Sequence, residues 1–357
     1  MLNSVWQASQ ILWSLHSNPV IAVNDNADNH LFYSYDIEVK GRSINVDHYE
    51  ADSEYTGTVV VIHGMSPKGK QDSRIVQLCC ALSKVGFRVI APEVDSIKQL
   101  TICPTQIQSI ADIMEVIAND KVMTPAGHIG VLAPSFSGAM CLAAASLPHI
   151  KGHISAVCAI GTFTEVESVI SYLLNDESAD PYGRFIVLKK IVPLVCEAKD
   201  HELLLGALDA AIRDNLNEIP FDKPDNEYHR YLNSATSDNR QKIHRLFCDL
   251  TYREQLLNAG KAMLAEEINA LNIVQHINGL SANVFLLHGA QDLVIPCDQS
   301  ERLYRALRSL KKKSNLVVTP FISHGDTRFN FSRIRDVAKI IQGFAGYFRS
   351  VANVTIK

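Results

Sequence analysis

The chain predicts an open, mostly parallel, doubly wound α/β sheet interrupted by a helical insertion. Three observations predict it. Short apolar runs rich in β-branched residues alternate with helix-spaced stretches from residue 58 to residue 160. That alternation stops near residue 163 and resumes near residue 279. One of the apolar runs, residues 128–133, leads straight into an Ala-rich helical stretch through Ala133-Pro134-Ser135-Phe136-Ser137-Gly138.

Residues 1–23 carry no Lys, Arg, Asp or Glu. Gln7, Ser9, Gln10, Ser14 and Asn18 interrupt the run, so neither a signal peptide nor a membrane span is expected. Leu2, Val5, Trp6, Ile11, Leu12 and Leu15 read as the apolar face of a short helix docked on the body, within an extension over residues 1–29. Residues 31–40 and 43–50 alternate across a Gly41-Arg42 turn and read as a hairpin. Thr58-Val-Val-Val-Ile-His63 is apolar almost throughout, as a central strand covered on both faces must be. A helix over 73–85, a strand over 87–91 and a helix over 104–119 follow, with Pro104 near the last one's start. Strands over 128–133 and 153–160 complete the first half of the sheet.

Within residues 163–278 no strand pattern occurs. Leu203, Leu204, Ala207, Leu208, Ala211 and Ile212 recur at helical spacing, and residues 241–258 and 261–276 do likewise. The polar stretch 222–239 reads as a mobile connection between two helical halves. This segment holds 19 acidic and 12 basic residues, a net of −7, against +3 for the rest of the chain. An acidic helical insertion after the sixth strand reads as a cap (lid) over the strand ends. The core, residues 30–162 and 279–357, then closes with a strand over 283–288, a helix over 297–310, a strand over 315–321 and a helix over 333–351. That makes eight strands.

At 357 residues and 47% hydrophobic content the chain can bury a substantial core. A net charge of −4 argues against nucleic acid or an anionic membrane as the main partner. The eight cysteines contain no C-x-x-C pair, so reduced thiols in the cytoplasm are expected, with no metal site and no cofactor. Export by a route without a cleavable leader stays compatible with this.

A serine at a tight strand-to-helix turn is pushed out of the sheet, with a helix N-terminus behind it to favour developing negative charge. Ser135 is so placed, and Ala133 and Ser137 supply the small neighbours the turn needs, where glycine is usual. A serine hydroxyl needs a base, and the base needs an orienting carboxylate, both beyond the C-terminal strand ends. Asp292 follows the 283–288 strand and His324 follows the 315–321 strand. The oxyanion hole needs two N–H groups, for which Phe136 and Met65 are the candidates. Ser137 is the rival nucleophile, and Asp298 and Asp326 are rivals to Asp292. His63 and His288 each precede a glycine at a strand end and read as loop braces. Gly64-Met-Ser-Pro-Lys-Gly69-Lys70-Gln71 fits G-x-x-x-x-G-K, but Gln71 stands where a magnesium-holding hydroxyl belongs and Pro67 removes an N–H. Lys68 and Lys70 are therefore read as solvated loop charges.

The segments Val59-Val-Val-Ile-His-Gly64, Gly86-Phe-Arg-Val-Ile-Ala-Pro92, Ala133-Pro-Ser-Phe-Ser-Gly138, His288-Gly-Ala-Gln-Asp292 and Ser323-His-Gly325 resemble α/β hydrolases of the carboxylesterase and dienelactone-hydrolase-like kind, over roughly residues 30–350. Asp180-Pro-Tyr-Gly-Arg-Phe185 is similar to a segment in a bacterial group of such proteins. The resemblance implies the α/β-hydrolase fold and a Ser135, Asp292, His324 triad without implying a substrate. The expected activity is cofactor-free hydrolysis of a small to medium, fairly apolar ester. A thioesterase or peptidase on the same triad, and a non-catalytic binding protein on the scaffold, remain as alternatives.

Overall fold

The computed structural model describes residues 2–17, 32–322 and 334–352. They divide into two compact units, one formed by the described residues before Glu165 and after Leu271 and the other by Glu165–Leu271.

Among the described residues of the first unit, eight strands form one sheet in the order β1-β2-β4-β3-β5-β6-β7-β8. They are β1 (Tyr33–Val39), β2 (Arg42–Tyr49), β3 (Gly57–Val61), β4 (Phe87–Pro92), β5 (Ile129–Pro134), β6 (Ile154–Ile160), β7 (Asn283–Gly289) and β8 (Ser314–Thr319). β1 pairs with β2, and β2 with β4, in antiparallel fashion; every other pairing is parallel. All five residues of β3 are buried, as its unbroken apolar run requires. The chain leaves β3 for β4 on one side and returns to β5 on the other. The crevice beyond the C-terminal ends of β3 and β5 is thus the topological switch point, where open α/β sheets place ligands.

Tyr49, Val61, Phe87, Leu132, Phe285, Phe344 and Phe348 belong to the core of this unit. The N-terminal helix Leu2–Ser17 joins it through Ala8, Ile11 and Leu12. Its buried face differs from the expected one. Ser4 and Gln7 turn inward while Val5 and Trp6 are exposed. The reason is polar: the Gln7 amide donates to Val85 O at 2.8 Å, so a buried glutamine is satisfied there.

The second unit is helical throughout: Val166–Asn175, Pro181–Val195, His201–Leu216, Glu227–Ser234, Ser237–Cys248, Leu250–Met263 and Ala265–Ala270. Phe185, Phe221, Tyr228 and Phe247 cluster with ring centroids 4.6–5.9 Å apart, and Phe221 stacks on Phe247. Residues 272–278 pack with the first unit, where Ile273 N donates to Thr164 O, so this unit is shorter than the 163–278 expected. The stretch 222–239 is a helix-bearing segment and not a loose connection. Asn226 caps the Glu227–Ser234 helix, and the buried Asp214 carboxylate accepts from Glu227 N and Tyr228 N, an anchor from a preceding helix that polarity counting misses.

Asp180-Pro-Tyr-Gly-Arg-Phe185 has a local role of the same kind. Asp180 caps its helix by accepting from Tyr182 N, with Pro181 at the first position. Arg184 donates to Leu173 O and Asp176 O, closing the preceding helix end. Among the described residues no helix is long and apolar enough to cross a membrane. All eight cysteines are free thiols.

Candidate active site

β5 ends on Pro134, and the helix Ser135–Ala144 begins on the next residue. Ser135 takes φ +57°, a left-handed conformation that a side-chain-bearing residue adopts at a cost of about 1–2 kcal/mol. The crowding that the tight turn creates falls mainly on Gly138. A Cβ there would lie 3.0 Å from Ala133 O and 3.1 Å from both Ala159 Cβ and Thr162 Cβ. Ala133 is fully buried, so a methyl fits where glycine is usual.

Ser137 is also fully buried, and its hydroxyl donates to His63 O at 2.5 Å. Its hydroxyl is thus engaged inside the fold as a strut between the helix and the end of β3. Ser135 is half-buried at the mouth of the turn. Phe136 is buried, with its ring 5.8 Å from that of Phe163.

The loop after β3 runs beside this turn. A Cβ on Gly64 would sit 3.6 Å from Pro134 Cγ and 4.0 Å from Ser135 Cβ, which brings the Gly64–Met65 peptide alongside the serine. His63 braces the loop as expected: Nδ1 lies 2.9 Å from Gly64 O, and Nε2 lies 3.0 Å from both Val94 N and Glu93 Oε1.

Asp292 lies in the loop after β7 and is 7% exposed. Its Oδ1 accepts from Val294 N and Ile295 N, both at 2.9 Å, which fixes the carboxylate plane. Its Oδ2 is 3.4 Å from His288 Nε2. His288 braces this loop too, meeting Ile295 O at 2.8 Å and Ser300 Oγ at 2.6 Å. Asp298, the rival carboxylate, instead opens the helix Asp298–Ser309 and pairs with Arg302 at 2.9 Å. Ala290 N donates to Thr319 O, tying the ends of β7 and β8 together. Met65, Ser135 with Phe136, and Asp292 thus follow the C-terminal ends of β3, β5 and β7 respectively. His324 and Asp326 lie outside the described residues.

The structure corrects the expectation of a solvated Lys70. It is 5% exposed and ion-paired with Asp47, itself fully buried. Gly69 has φ +55°, and a Cβ there would fall 2.0 Å from Glu93 Oε1. Lys70 N and Lys98 Nζ both donate to the Glu93 carboxylate, at 3.2 and 2.9 Å. Burial alone would raise the Glu93 pKa, but hydrogen bonds from His63 and Lys98 and the backbone bond from Lys70 hold it down, at about 2. The G-x-x-x-x-G-K segment therefore wraps a carboxylate. Its N–H groups at 69, 70 and 71 donate to Ser66 O, Glu93 and Lys68 O, so no phosphate cradle forms. Sequence reasoning missed Glu93 and Asp47; a carboxylate one residue past a buried strand, opposite a Lys-Gly-Lys turn, was the available signal for the first.

Among the described residues one group has metal-ligand spacing, Asp112, Glu115 and His149, with one ligand atom from each within 4.8 Å of the others. Asp112 accepts from Gln108 at 2.7 Å and Glu115 lies 3.8 Å from Lys40, so protein donors already serve these carboxylates.

No family model matches the chain, and no curated protein matches it. Solved structures do. A puromycin-hydrolysing peptidase of Mycobacterium tuberculosis is similar at a TM-score of 0.53 and 13% identity, over 92% of this chain and 41% of that one. A puromycin hydrolase gives 0.52 and 12%, over 93% and 41%. Dipeptidyl peptidase 4 of Porphyromonas gingivalis gives 0.51 and 10%, over 88% and 35%. The chain thus spans 35–41% of the length of these proteins. At such identities the likeness concerns architecture: this chain has the α/β-hydrolase fold.

Proposed function

We propose that this protein is a cofactor-free serine hydrolase that cleaves carboxylic esters of small to medium, fairly apolar substrates through an acyl-enzyme. The observation that carries the reading is the left-handed Ser135 at the β5–helix junction, with Ser137 withdrawn as a strut. Strain kept at a single half-buried hydroxyl in a strand-to-helix turn is the mark of a nucleophile elbow.

Ser135 Oγ attacks the ester carbonyl carbon while His324 takes its proton. The tetrahedral oxygen accepts from the N–H groups of Met65 and Phe136. Collapse breaks the bond to the alkoxy oxygen, which leaves with the proton from His324. Water, deprotonated by the same imidazole, then attacks the acyl carbon and releases the acid and Ser135. Asp292, its plane fixed by two N–H donors, holds the imidazole tautomer. β6 alone separates β5 from β7, which sets their ends about 10 Å apart. An imidazole with a hydrogen bond at either side bridges about 8 Å, so the spacing suits a triad. The helical insertion, lying in the chain between β6 and β7, is proposed as the cap.

The similar structures are named as peptidases and a puromycin hydrolase, so amide substrates belong in the same test. Purified protein is offered p-nitrophenyl esters of graded acyl length, matching thioesters and aminoacyl amides. Turnover of short and medium esters, abolished in Ser135→Ala, is expected. Preference for amides would make the enzyme a peptidase, and full turnover in Ser135→Ala would reassign the nucleophile. No turnover of any substrate would favour a binding protein on this scaffold.

A further inference from the structure

We infer that Glu93 is a positioning residue for the oxyanion hole, acting through His63 on the peptide that carries the Met65 N–H. The inference rests on the hydrolase reading above and concerns the same site.

The chain of contacts is short. Gly64 O and Met65 N–H belong to one peptide unit, which is trans and planar, so the two point in opposite directions. Whatever fixes the carbonyl therefore aims the N–H. His63 Nδ1 stands 2.9 Å from Gly64 O. A carbonyl only accepts, so Nδ1 carries the proton. A hydrogen bond at the oxygen also polarises the peptide and strengthens its N–H as a donor.

The other imidazole nitrogen is held from behind. Nε2 lies 3.0 Å from Glu93 Oε1, to which it donates when it carries a proton, and 3.0 Å from Val94 N, which donates to it when it does not, at the end of β4. The ring is fully buried and can turn only by losing both contacts. Glu93 in turn is caged by Lys70 N and Lys98 Nζ and enclosed by Gly69, whose missing side chain leaves room for its carboxylate. Lys70 is itself anchored on buried Asp47. A carboxylate held this firmly, behind a histidine that touches one peptide, exceeds what closing a loop requires. The Ser137 strut on His63 O links the same histidine to the nucleophile helix. Oxyanion donors stabilise charge that exists only in the transition state, so disturbing their aim should fall on kcat and spare KM.

The test compares Glu93→Gln, His63→Leu and His63→Asn with the wild-type full chain on the best p-nitrophenyl ester, alongside thermal midpoints. Glu93→Gln keeps the size and an acceptor but removes the charge; kcat is expected to fall about tenfold with KM within about twofold. His63→Leu removes the donor to Gly64 O and should lower kcat about a hundredfold. The Asn amide reaches the position of Nδ1, so His63→Asn should recover to within about tenfold of wild type. Should His63→Leu not fold, Glu93→Gln and His63→Asn carry the comparison. A Glu93→Gln enzyme with wild-type kcat, or one that loses stability alone, overturns the inference and leaves the hydrolase reading standing. A wild-type protein inert toward every substrate overturns both.

Discussion

In the helical unit Asp214 and Arg253 are 1% and 3% exposed, and both spend their polar atoms on backbone. Asp214 accepts from Glu227 N and Tyr228 N, while Arg253 donates to Leu174 O and Phe247 O. In the sheet-bearing unit Asp47, Lys70, His63 and Glu93 are buried too, yet Asp47 pairs with Lys70 and His63 with Glu93 through their side chains around one loop. The difference is instructive. A buried charge that meets helix ends replaces solvent for peptide groups and is accounted for by folding alone. Buried charges that meet each other around the loop on which the Ser137 strut rests ask for a further purpose, because apolar packing would stabilise as well.

The contrast can be broken most forcefully at Asp292. Asp292→Asn keeps an acceptor for Val294 N and Ile295 N, so the fold should hold while kcat falls about 10⁴-fold. A loss below tenfold, measured on the best ester, would remove Asp292 from the triad.

Next in size is the acid response of Glu93. Its folded pKa is depressed to about 2, so its contribution is fully present above the unfolded value near 4.5 and is lost as pH falls through the interval down to 2. Denaturant titrations across this interval should show up to about 3 kcal/mol less pH dependence in Glu93→Gln than in wild type. Equal slopes would mean the carboxylate is not held as described.

Arg253→Met sharpens the comparison from the other side. It leaves two buried carbonyls without their donor and should cost about 2 kcal/mol by urea unfolding. A neutral result would show that the helical unit has water or other donors at those carbonyls.

The smallest expected effect is Ser135→Gly against Ser135→Ala. Both remove the hydroxyl, but glycine accepts φ +57° without penalty, so the Gly variant should be more stable by about 1 kcal/mol. Equal melting points would argue that the turn stores no strain.

Much of this was legible from residue order, for a physical reason. Strands β3 to β7 are buried over most of their length and so appear as nearly unbroken apolar runs whose ends can be located. Locating the ends located the residues beyond them, which is how Ser135, Met65 and Asp292 came into view. What stayed hidden depended on pairing across the fold. Lys70 is buried because its partner, Asp47, sits on β2, and β2 lies beside β4 only through an antiparallel pairing that periodicity does not reveal. Glu93 was hidden because its significance comes from the histidine across it, thirty residues earlier in the chain. The Glu227–Ser234 helix looked like a loop because its anchor, Asp214, is on another helix. The inward face of the first helix was misjudged because Gln7 finds its acceptor at Val85.

The most direct measurement is mass-spectrometric mapping of the adduct formed by a fluorophosphonate on the intact protein, repeated with His324→Ala. The account predicts a single modified peptide with the phosphonyl group on Ser135, formed at least a hundredfold more slowly in the histidine variant. An adduct on another residue, or equal labelling without the imidazole, would contradict it.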